Sequence, residues 1–310
     1  MNEYDKFVEG MLNLNVNYFR FNLSKYDNNE LDMKVYEICE LKKKYPLKIM
    51  IDIPYPRGKP RIFFNNKTEL VLSPDDYINI SSKPSAPIYT DNAEILNLNV
   101  GDKIIYSDGE GILVVTDVND EKIVARSEKR CLIYHRKSIN FGKLTKNTQL
   151  NKYIKIINDI QPDSVALSFV ISPKDVFEFK NELKDNVEII SKIETSAAVD
   201  SAEDIATYTS IMVGRGDLMI YADYRYLYEY QNRIMRAAIK KGNKVYVATG
   251  ILSSLKNNSI PTQAELTDLA RIIECSPAGI ILNYGVVKNN MKVALDIINS
   301  LVEQQLKAEK

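Results

Sequence analysis

The sequence predicts an α/β protein: a TIM-type β/α barrel with about seven visible strands and a small inserted all-β lid domain. Short apolar runs alternate with amphipathic helical patterns before about residue 60, and again from about residue 163 onward. Such alternation is typical of parallel sheets. Between these two stretches, clusters of Pro, Ser and Asn separate short strand patterns, which indicates an inserted β domain.

The barrel elements follow one another along the chain. Before the insertion we predict a helix, a strand, a helix and a strand at residues 4–12, 17–23, 30–44 and 47–53. After it, five more strands are predicted at residues 164–170, 187–194, 210–214, 244–249 and 279–283. Helices separate these strands: Ser172 and Pro173 give an N-cap and a first-turn proline, and Thr262 with Glu265 forms a capping box. A last helix is predicted at residues 291–306.

The insertion divides the chain into two domains. We assign residues 1–63 and 142–310 to the barrel and residues 64–141 to the lid. Strand patterns at residues 103–106 and 111–115 and a turn at 118–121 indicate antiparallel pairing in the lid. Because barrel enzymes place their chemistry at the C-terminal face of the barrel, we expect the lid to cover that face.

Composition argues against several classes of partner and site. The 41 basic and 41 acidic residues cancel, whereas nucleic acids and anionic membranes demand a basic excess. Three cysteines and a single histidine, His135, argue against a disulfide framework, a zinc site and histidine chemistry. No apolar run approaches the ~18 residues of a membrane span, and the N-terminus has no signal-peptide pattern. We therefore expect a cytoplasmic protein.

Charged residues stand at two strand ends where a buried strand should remain apolar. Side chains alternate along a strand, so Lys192 and Glu194 share one face. The following strand runs into Gly214, Arg215, Gly216 and Asp217, where two glycines let the backbone approach an anion. The pattern predicts a site for a small phosphorylated or carboxylated ligand together with a hard, oxygen-preferring ion such as Mg²⁺ or Mn²⁺.

Polar residues recur at the other strand ends. Arg20, Asn22 and Ser24 fall on one face of the first strand. Three later strand ends carry Asp52, Ser168 and Thr249. Each residue alone fits an ordinary solvated position with surface ion pairs of little value. Because the ends of barrel strands meet at one face, their recurrence favours a functional site.

Several motifs occur in an order that resembles the pyruvate kinase family. They are FRFNLS, IISKIE, IMVGRGDL, VYVATGIL and PTQAELTDLA, and IISKIE with GRGDL is specific. The resemblance implies a β/α barrel with a mobile lid that binds phosphoenolpyruvate or pyruvate through a divalent metal. It covers nearly the whole chain, but the family's first barrel strand and its C-terminal regulatory domain find no counterpart in this sequence.

The resemblance also implies roles for individual residues. Lys192, Arg20 and Thr249 match catalytic positions: the lysine that neutralises the transferring phosphoryl group, a phosphate-binding arginine and a threonine near the enolate carbon. Glu194 and Asp217 match metal ligands. The substrate-binding positions are Gly214, Arg215, Gly216, Asp217 and Ser168, where backbone amides of the 214–217 segment hold the substrate carboxylate.

Further matches concern a potassium ion and a nucleotide. Asn22, Ser24 and Asp52 match ligands of the family's K⁺ site, but Ile53 stands where the family has a threonine ligand. The residues assigned to the nucleotide and the lid are Lys25, Arg61, Asp108 and Lys137. These nucleotide-side positions depart more from the family than those of the substrate site, and a lysine such as Lys25 or Lys59 could replace the monovalent cation.

Three functions remain open from the sequence. The first is an enzyme: a Mg²⁺-dependent phosphotransferase that acts on phosphoenolpyruvate or pyruvate, with ADP/ATP or another phosphoryl acceptor. The second is a lyase or aldolase that forms a metal-held pyruvate enolate. The third is a catalytically silent relative that serves in ligand sensing or assembly. Because unpaired strand edges invite association, an incomplete barrel also predicts a homo-oligomer.

Overall fold

The protein is described here by a computed structural model that covers residues 3–26, 28–107, 109–183 and 187–308. Within these ranges the chain forms two compact units. One contains residues 1–53 and 149–310, and the other residues 54–148. The limits predicted for the insertion, 64 and 141, lie inside the second unit, and the predicted assignment of the flanking residues to the barrel stays a prediction.

The first unit alternates helices and strands as the sequence patterns indicate. Its N-terminal elements are α1 (Glu3–Asn13), β1 (Tyr18–Asn22), α2 (Asn28–Lys44) and β2 (Lys48–Gly58), whose last residues belong to the second unit. In α2 the buried side chains of Leu31, Ile38 and Leu41 recur at helical spacing. This spacing gives the helix an apolar stripe that faces the core.

The second unit is an all-β domain. Its strands are β3 (Ile62–Phe64), β4 (Glu69–Leu72), β5 (Tyr77–Ser81), β6 (Ile88–Thr90), β7 (Lys103–Tyr106), β8 (Gly111–Val118), β9 (Lys122–Ser127), β10 (Cys131–Tyr134), β11 (Ile139–Asn140) and β12 (Thr145–Lys146). One sheet has the order β11-β7-β8-β9-β5-β6-β3, β10 pairs with β4, and β12 pairs with the end of β2. Alternate residues such as Ile104, Tyr106, Leu113 and Val115 fill its core. The antiparallel β8–β9 pair flanks the predicted turn.

The remaining elements complete the first unit. They are α3 (Leu150–Ile160), β13 (Ser164–Ser168), α4 (Pro173–Lys180), β14 (Glu188–Ile193), α5 (Ser196–Asp200), α6 (Ala202–Ala206), β15 (Ser210–Gly214), α7 (Arg215–Tyr221), α8 (Leu227–Lys240), β16 (Val245–Ala248), α9 (Gln263–Ile273), β17 (Gly279–Ile281) and α10 (Tyr284–Ala308). The predicted N-cap at Ser172 and the predicted capping box at Thr262 and Glu265 are both present, and Ser172 also forms a capping box with Asp175.

The barrel sheet has the strand order β1-β2-β13-β14-β15-β16-β17. The pairs β1/β2, β13/β14, β14/β15, β15/β16 and β16/β17 are parallel. Within the described ranges β1 pairs with β2 alone and β17 with β16 alone, so the sheet there is an arc of seven strands. The predicted barrel-type fold with about seven strands is confirmed.

Three predicted boundaries were wrong for identifiable reasons. The last strand was expected to reach residue 283 but ends at Ile281, because the Asn283 side chain accepts a hydrogen bond from the Val286 amide, at 3.0 Å, and begins the next helix. That helix was expected from residue 291 but starts at Tyr284, and Asn290 interrupts it with non-helical dihedral angles. The second predicted strand was expected to end at residue 53 and extends to Gly58, since Thr145 pairs with it there.

Side chains inside the barrel form three successive layers, because alternate residues of each strand face inward. The middle layer is apolar and contains Met50, Ala166, Ile190, Met212 and Ala248. A lower polar layer lies towards the strand starts and consists of Tyr18, Ser164, Glu188, Ser210 and Tyr246. An upper polar layer lies at the strand ends and consists of Arg20, Asp52, Ser168, Lys192 and Glu194.

None of the helices in the described ranges combines the length and the apolar character that crossing a membrane requires.

Candidate active site

Lys192 lies at the centre of the upper polar layer. Its Nζ atom lies 3.1 Å from Glu194 Oε1 and 3.4 Å from Asp52. It also donates a hydrogen bond of 3.1 Å to Ser168 Oγ. Burial alone would lower the pKa of Lys192, but Asp52 and Glu194 outweigh burial and raise it, so the ammonium stays charged. Lys192 and Glu194 were predicted to lie on the same face of their strand, and the 3.1 Å contact agrees with this.

Asp52 joins Lys192 to Arg20. The Arg20 guanidinium donates to Asp52 Oδ2 from Nε at 3.0 Å and from Nη2 at 2.5 Å. Asp52 is only 1% exposed, and burial by itself would raise its pKa. The charges of Lys192 and Arg20 reverse this effect and hold the pKa of Asp52 below its usual value. Arg20, Asp52 and Lys192 therefore form one ionised chain of charges, in which Asp52 and Lys192 are buried and the Arg20 side chain is 29% exposed.

The pKa of Glu194 is shifted upwards, in the opposite direction to that of Asp52. Burial is the main cause that raises its pKa to about 7, Lys192 opposes this effect, and the negative charges of Asp217 and Asp52 add to it. Its Oε2 atom accepts a hydrogen bond of 2.9 Å from the Phe169 amide, and Phe169 has a left-handed backbone with φ of 52°. The Phe169 amide thus holds Glu194 Oε2, while Lys192 lies 3.1 Å from Glu194 Oε1.

The two glycines of the 213–217 segment make room for side chains. A Cβ atom at Gly214 would lie 2.5 Å from Glu194 Cγ, and one at Gly216 would lie 2.8 Å from Thr249 Cγ2. Sequence reasoning assigned both glycines to the approach of an anion. The structure gives each a further reason, because any larger residue would displace Glu194 or Thr249.

The Arg215 side chain contacts Thr249 and two helices. Its Nε atom donates to the Thr249 carbonyl at 2.9 Å, and its Nη1 atom donates to both carboxylate oxygens of Asp268, at 2.8 and 2.7 Å, and to Gln231 at 3.3 Å. The sequence grouped Arg215 with substrate-binding residues but gave no signal for Asp268 or Gln231. These partners lie on α8 and α9, within ordinary amphipathic patterns.

Tyr221 was also missed by the sequence analysis. It ends α7, and its ring packs edge-on against Phe169 with 5.2 Å between ring centroids. Its hydroxyl is buried and has no hydrogen-bond partner among the described residues. Burial raises the pKa of Tyr221, and the charges of Asp217 and Glu194 raise it further. A phenol donor therefore lies within the field of the two carboxylates.

The residues matched to a potassium site are engaged in other bonds. Asn22 Oδ1 accepts a hydrogen bond from the Ser24 amide at 3.0 Å and so caps a short 3₁₀ helix. Asp52 already bonds two cationic side chains, and Ile53 is fully buried and apolar. A K⁺ ion at Asn22, Ser24 and Asp52 stays a prediction.

The residues assigned to the nucleotide are distributed over both units. Lys25 is exposed in the barrel unit. In the second unit, Arg61 donates to the Arg136 carbonyl at 2.7 Å and Lys137 is exposed. Asp108 lies outside the described residues. His135, the single histidine of the sequence, accepts a hydrogen bond from the Phe64 amide at 3.0 Å.

The donor set at Glu194 and Asp217 fits a hard divalent ion. Both side chains offer carboxylate oxygens. Burial raises the pKa of Glu194, the charges of Asp217 and Asp52 raise it further, and a bound cation would relieve both effects. Among the described residues no group of three or more His, Cys, Asp and Glu side chains could hold a metal by itself. Mg²⁺ is commonly bound by one or two carboxylates plus substrate oxygens and waters.

Comparison with known proteins identifies the family. The family pattern described as pyruvate kinase, barrel domain, matches residues 2–283. The chain belongs to the pyruvate kinase family. Its membership accounts for the parallel strands with polar residues at their C-terminal ends.

Individual pyruvate kinases align over most of this chain. The protein from Thermotoga maritima is 32% identical over 86% of this chain and 60% of its own length. The protein from Methylorubrum extorquens is 27% identical over 96% of this chain and 65% of its own length, and that from Bacillus licheniformis is 28% identical over 91% and 51%. The chain therefore spans between half and two thirds of these relatives.

Proposed function

We propose that this pyruvate kinase relative is a Mg²⁺- or Mn²⁺-dependent phosphotransferase that acts on phosphoenolpyruvate or pyruvate. The observation that carries the proposal is the buried ammonium of Lys192, which lies 3.1 Å from Glu194 and bonds Ser168 and Asp52. Burying charges is costly unless they are used or fully paired. Here two cations and two carboxylates share the end of the barrel where its chemistry occurs.

Phosphoryl transfer depends mainly on positioning and on neutralising negative charge. Lys192 and Arg20 supply the positive charge for the phosphoryl oxygens of phosphoenolpyruvate. Glu194 and Asp217 would hold the divalent ion, which when bound neutralises charge on the substrate. The Gly214–Asp217 backbone amides would hold the substrate carboxylate. Asp52 keeps both cationic side chains in place, and Ser168 orients Lys192 by accepting its hydrogen bond.

The resemblance of Thr249 to the threonine near the enolate carbon gives it a role in the last step. The bond between phosphorus and the enol oxygen breaks, its electron pair stays on that oxygen, and the phosphoryl group passes to the acceptor. The resulting pyruvate enolate takes a proton at its methylene carbon. Thr249 would orient the water that gives this proton, and the hydroxide left behind takes a proton from solvent.

The proposal also covers the phosphoryl acceptor, the potassium ion and the oligomeric state. ADP is the acceptor that the family suggests, and the departures at Lys25 and Ile53 favour either another acceptor or a chain that needs no K⁺. The edges of β1 and β17 that lack strand partners in the described ranges support a homo-oligomer. Sedimentation at high concentration tests the assembly, and a purely monomeric species contradicts it.

An enolate-forming lyase or aldolase is the second candidate. Lys192, Glu194, Ser168 and the 214–217 segment lie in one unit, and their contacts do not involve the residues assigned to the nucleotide. A pyruvate enolate can attack an aldehyde as well as a proton, and a divalent ion held by Glu194 and Asp217 would stabilise its negative charge. Exchange of pyruvate methyl protons with solvent in the absence of nucleotide, together with aldehyde consumption, would support this candidate.

Ligand-observed NMR with phosphoenolpyruvate, pyruvate, ADP and ATP, each with and without Mg²⁺, tests the proposal directly. The phosphotransferase predicts Mg²⁺-dependent binding of phosphoenolpyruvate and pyruvate, followed by phosphoryl transfer. Binding of phosphoenolpyruvate without any nucleotide binding favours a changed acceptor. If none of the four compounds binds, the proposal is wrong and the silent relative in sensing or assembly is favoured.

A further inference from the structure

We propose that Arg215, together with Gln231 and Asp268, forms an arginine clamp that positions Thr249 for the proton step. This inference rests on the proposed role of Thr249. In this proposal Arg215 is a positioning residue. Its side chain contacts the backbone carbonyl of Thr249 and reaches no reacting atom. The sequence places Arg215 inside the GRGD segment, but its contacts point to this different task.

The Thr249 turn requires external support. Thr249 has φ of 75°, followed by Gly250 with φ of 76° and Leu252 with φ of 49°. A β-branched residue rarely adopts this left-handed conformation, and such residues persist only where their surroundings hold them. Thr249 is also solvent-exposed, so core packing does not impose its conformation.

The clamp supplies that support through contacts of Arg215 with the turn at Thr249 and Gly250. Arg215 is 8% exposed, and its Nε atom donates to the Thr249 carbonyl at 2.9 Å. A Cβ atom at Gly250 would lie 3.0 Å from Arg215 Nη2, so the guanidinium fills the space under the turn. The Thr249 methyl group packs on Gly216, where a Cβ atom would lie 2.8 Å away. Thr249 is therefore held on two sides by the 215–216 segment.

Asp268 fixes the guanidinium in turn. Both of its carboxylate oxygens accept from Arg215 Nη1, at 2.8 and 2.7 Å, and Gln231 accepts at 3.3 Å. The Arg215 and Asp268 side chains are 10% and 38% exposed. A charge-assisted contact to two oxygens restrains the direction of the guanidinium. The clamp thus links α8 and α9 to the conformation of one threonine.

The clamp should affect proton transfer more than ligand binding. Lys192 and Glu194 are held by Asp52, Ser168 and the Phe169 amide, and these bonds do not pass through Arg215. Loosening the clamp therefore leaves the charged platform in place. It displaces the group that orients the water, and small displacements of reacting groups can cost about a hundredfold in rate.

A double-mutant cycle tests the coupling. The variants are Thr249→Ala, Asp268→Asn, Arg215→Lys and the combination of Thr249→Ala with each of the other two. The measurements are the exchange of pyruvate methyl protons with deuterium in the presence of Mg²⁺, followed by proton NMR, and the affinity for pyruvate. Each single change should slow exchange by about ten- to a hundredfold and alter affinity by less than about threefold.

The combined variants carry the decisive result. If Arg215 acts through Thr249, adding Asp268→Asn or Arg215→Lys to Thr249→Ala should slow exchange no further. Additive losses, or equal losses of affinity and exchange, would overturn the clamp. Asp200→Asn is the matched control. Asp200, at the end of α5, pairs at 2.9 Å on the exposed surface with Arg233 of α8, the helix that also carries Gln231. It should leave both measurements unchanged.

A second measurement separates failure of the clamp from failure of the proposed function. If the unchanged protein neither exchanges methyl protons nor transfers a phosphoryl group, the proposed function is wrong, and amide hydrogen exchange at residues 250–252 decides the clamp by itself. Asp268→Asn should then speed amide exchange in this turn, and Asp200→Asn should not. Equal protection in both variants would overturn the clamp even in an inactive protein.

Discussion

The upper and lower polar layers of the barrel are built on the same strands and differ in what they bury. In the lower layer, Tyr18 and Ser164 share a hydrogen bond of 2.6 Å, and Ser210 and Tyr246 donate to Glu188 at 2.7 and 3.3 Å. Its single carboxylate is neutralised at 2.9 Å by Lys244, whose side chain is 58% exposed. The lower layer is therefore a satisfied network of hydroxyl groups around one surface ion pair.

The upper layer instead buries several charges together. Lys192 and Glu194 are 7% and 1% exposed, and Asp52 bonds both Lys192 and Arg20. A buried carboxylate whose pKa is raised lies beside one whose pKa is lowered. Polar residues inside a barrel do not by themselves mark a site. Buried charges with opposed pKa shifts are what distinguish the end that could bind a ligand.

Replacing the lysine of each layer should produce the largest contrast. Lys192→Met removes the charge proposed for the phosphoryl group, and turnover should fall by about a thousandfold or more. Metal binding should persist, since Glu194 and Asp217 remain. Lys244→Met removes a surface partner, so the free energy of unfolding should change by less than about 1 kcal/mol and turnover should not change. Retained turnover in Lys192→Met would remove the mechanism.

Replacing the glutamate of each layer compares the contributions of the upper and lower layers to metal binding. Glu194→Gln should weaken Mn²⁺ binding by at least about a hundredfold, because it removes one of two proposed ligands. Glu188→Gln should bind Mn²⁺ as the unchanged protein does. Mn²⁺ titration followed by electron paramagnetic resonance measures both affinities. Equal affinity in the two variants would show that the ion, if bound, lies elsewhere.

The metal-free protein should lose stability as pH rises through the range that Glu194 titrates. Its pKa is about 7 in the folded chain and 4.5 as the ordinary value, with Lys192, Asp217 and Asp52 facing it. Between these values the folded state holds the proton longer than the unfolded state, so the free energy of unfolding falls with rising pH by about 3 kcal/mol. Urea unfolding at several pH values measures this slope.

Two variants sharpen that pH experiment. Glu194→Gln should abolish the decrease between pH 4.5 and about 7, because it removes the titrating group. Glu188→Gln should retain it. If the decrease persists in Glu194→Gln, a different group causes it.

Deleting one tyrosine hydroxyl near each layer should produce the smallest effect, and in opposite directions. Tyr18→Phe removes a hydrogen bond of 2.6 Å and should lower the free energy of unfolding by about 1 kcal/mol. Tyr221→Phe removes a buried hydroxyl without a partner among the described residues, so stability should stay equal or rise by about 1 kcal/mol. Urea unfolding gives both values, and a loss of stability in Tyr221→Phe would show a hidden partner.

The sequence predicted the fold well because its signals are local. Apolar runs, helical spacing and the caps at Ser172 and Thr262 each act within a few residues, and the strands they delimit form the expected parallel order. The errors lie at element ends. Asn283 looked like a strand residue, and only its side-chain bond to the Val286 amide shows that it begins a helix.

The sequence predicts those site residues whose placement follows from the alternation of side chains along a strand. It does not predict those whose placement depends on tertiary contacts. Period two places Lys192 and Glu194 on one face, and the structure agrees. The same rule cannot tell Ser168 of the upper layer from Ser164 of the lower layer, because both are serines on the inner face of one strand. The partnership of Arg215 with Asp268 spans 53 positions of sequence and leaves no trace in either local pattern.

The lack of a Cβ atom at Gly214 has a consequence for how such a protein evolves. A Cβ atom there would lie 2.5 Å from Glu194 Cγ and 2.9 Å from its Oε1 atom, so even alanine would push that carboxylate aside. The surrounding strands would lose no hydrogen bond by this exchange. One nucleotide substitution that turns the glycine codon into an alanine codon is therefore a short genetic route that would remove the proposed ion site from the barrel.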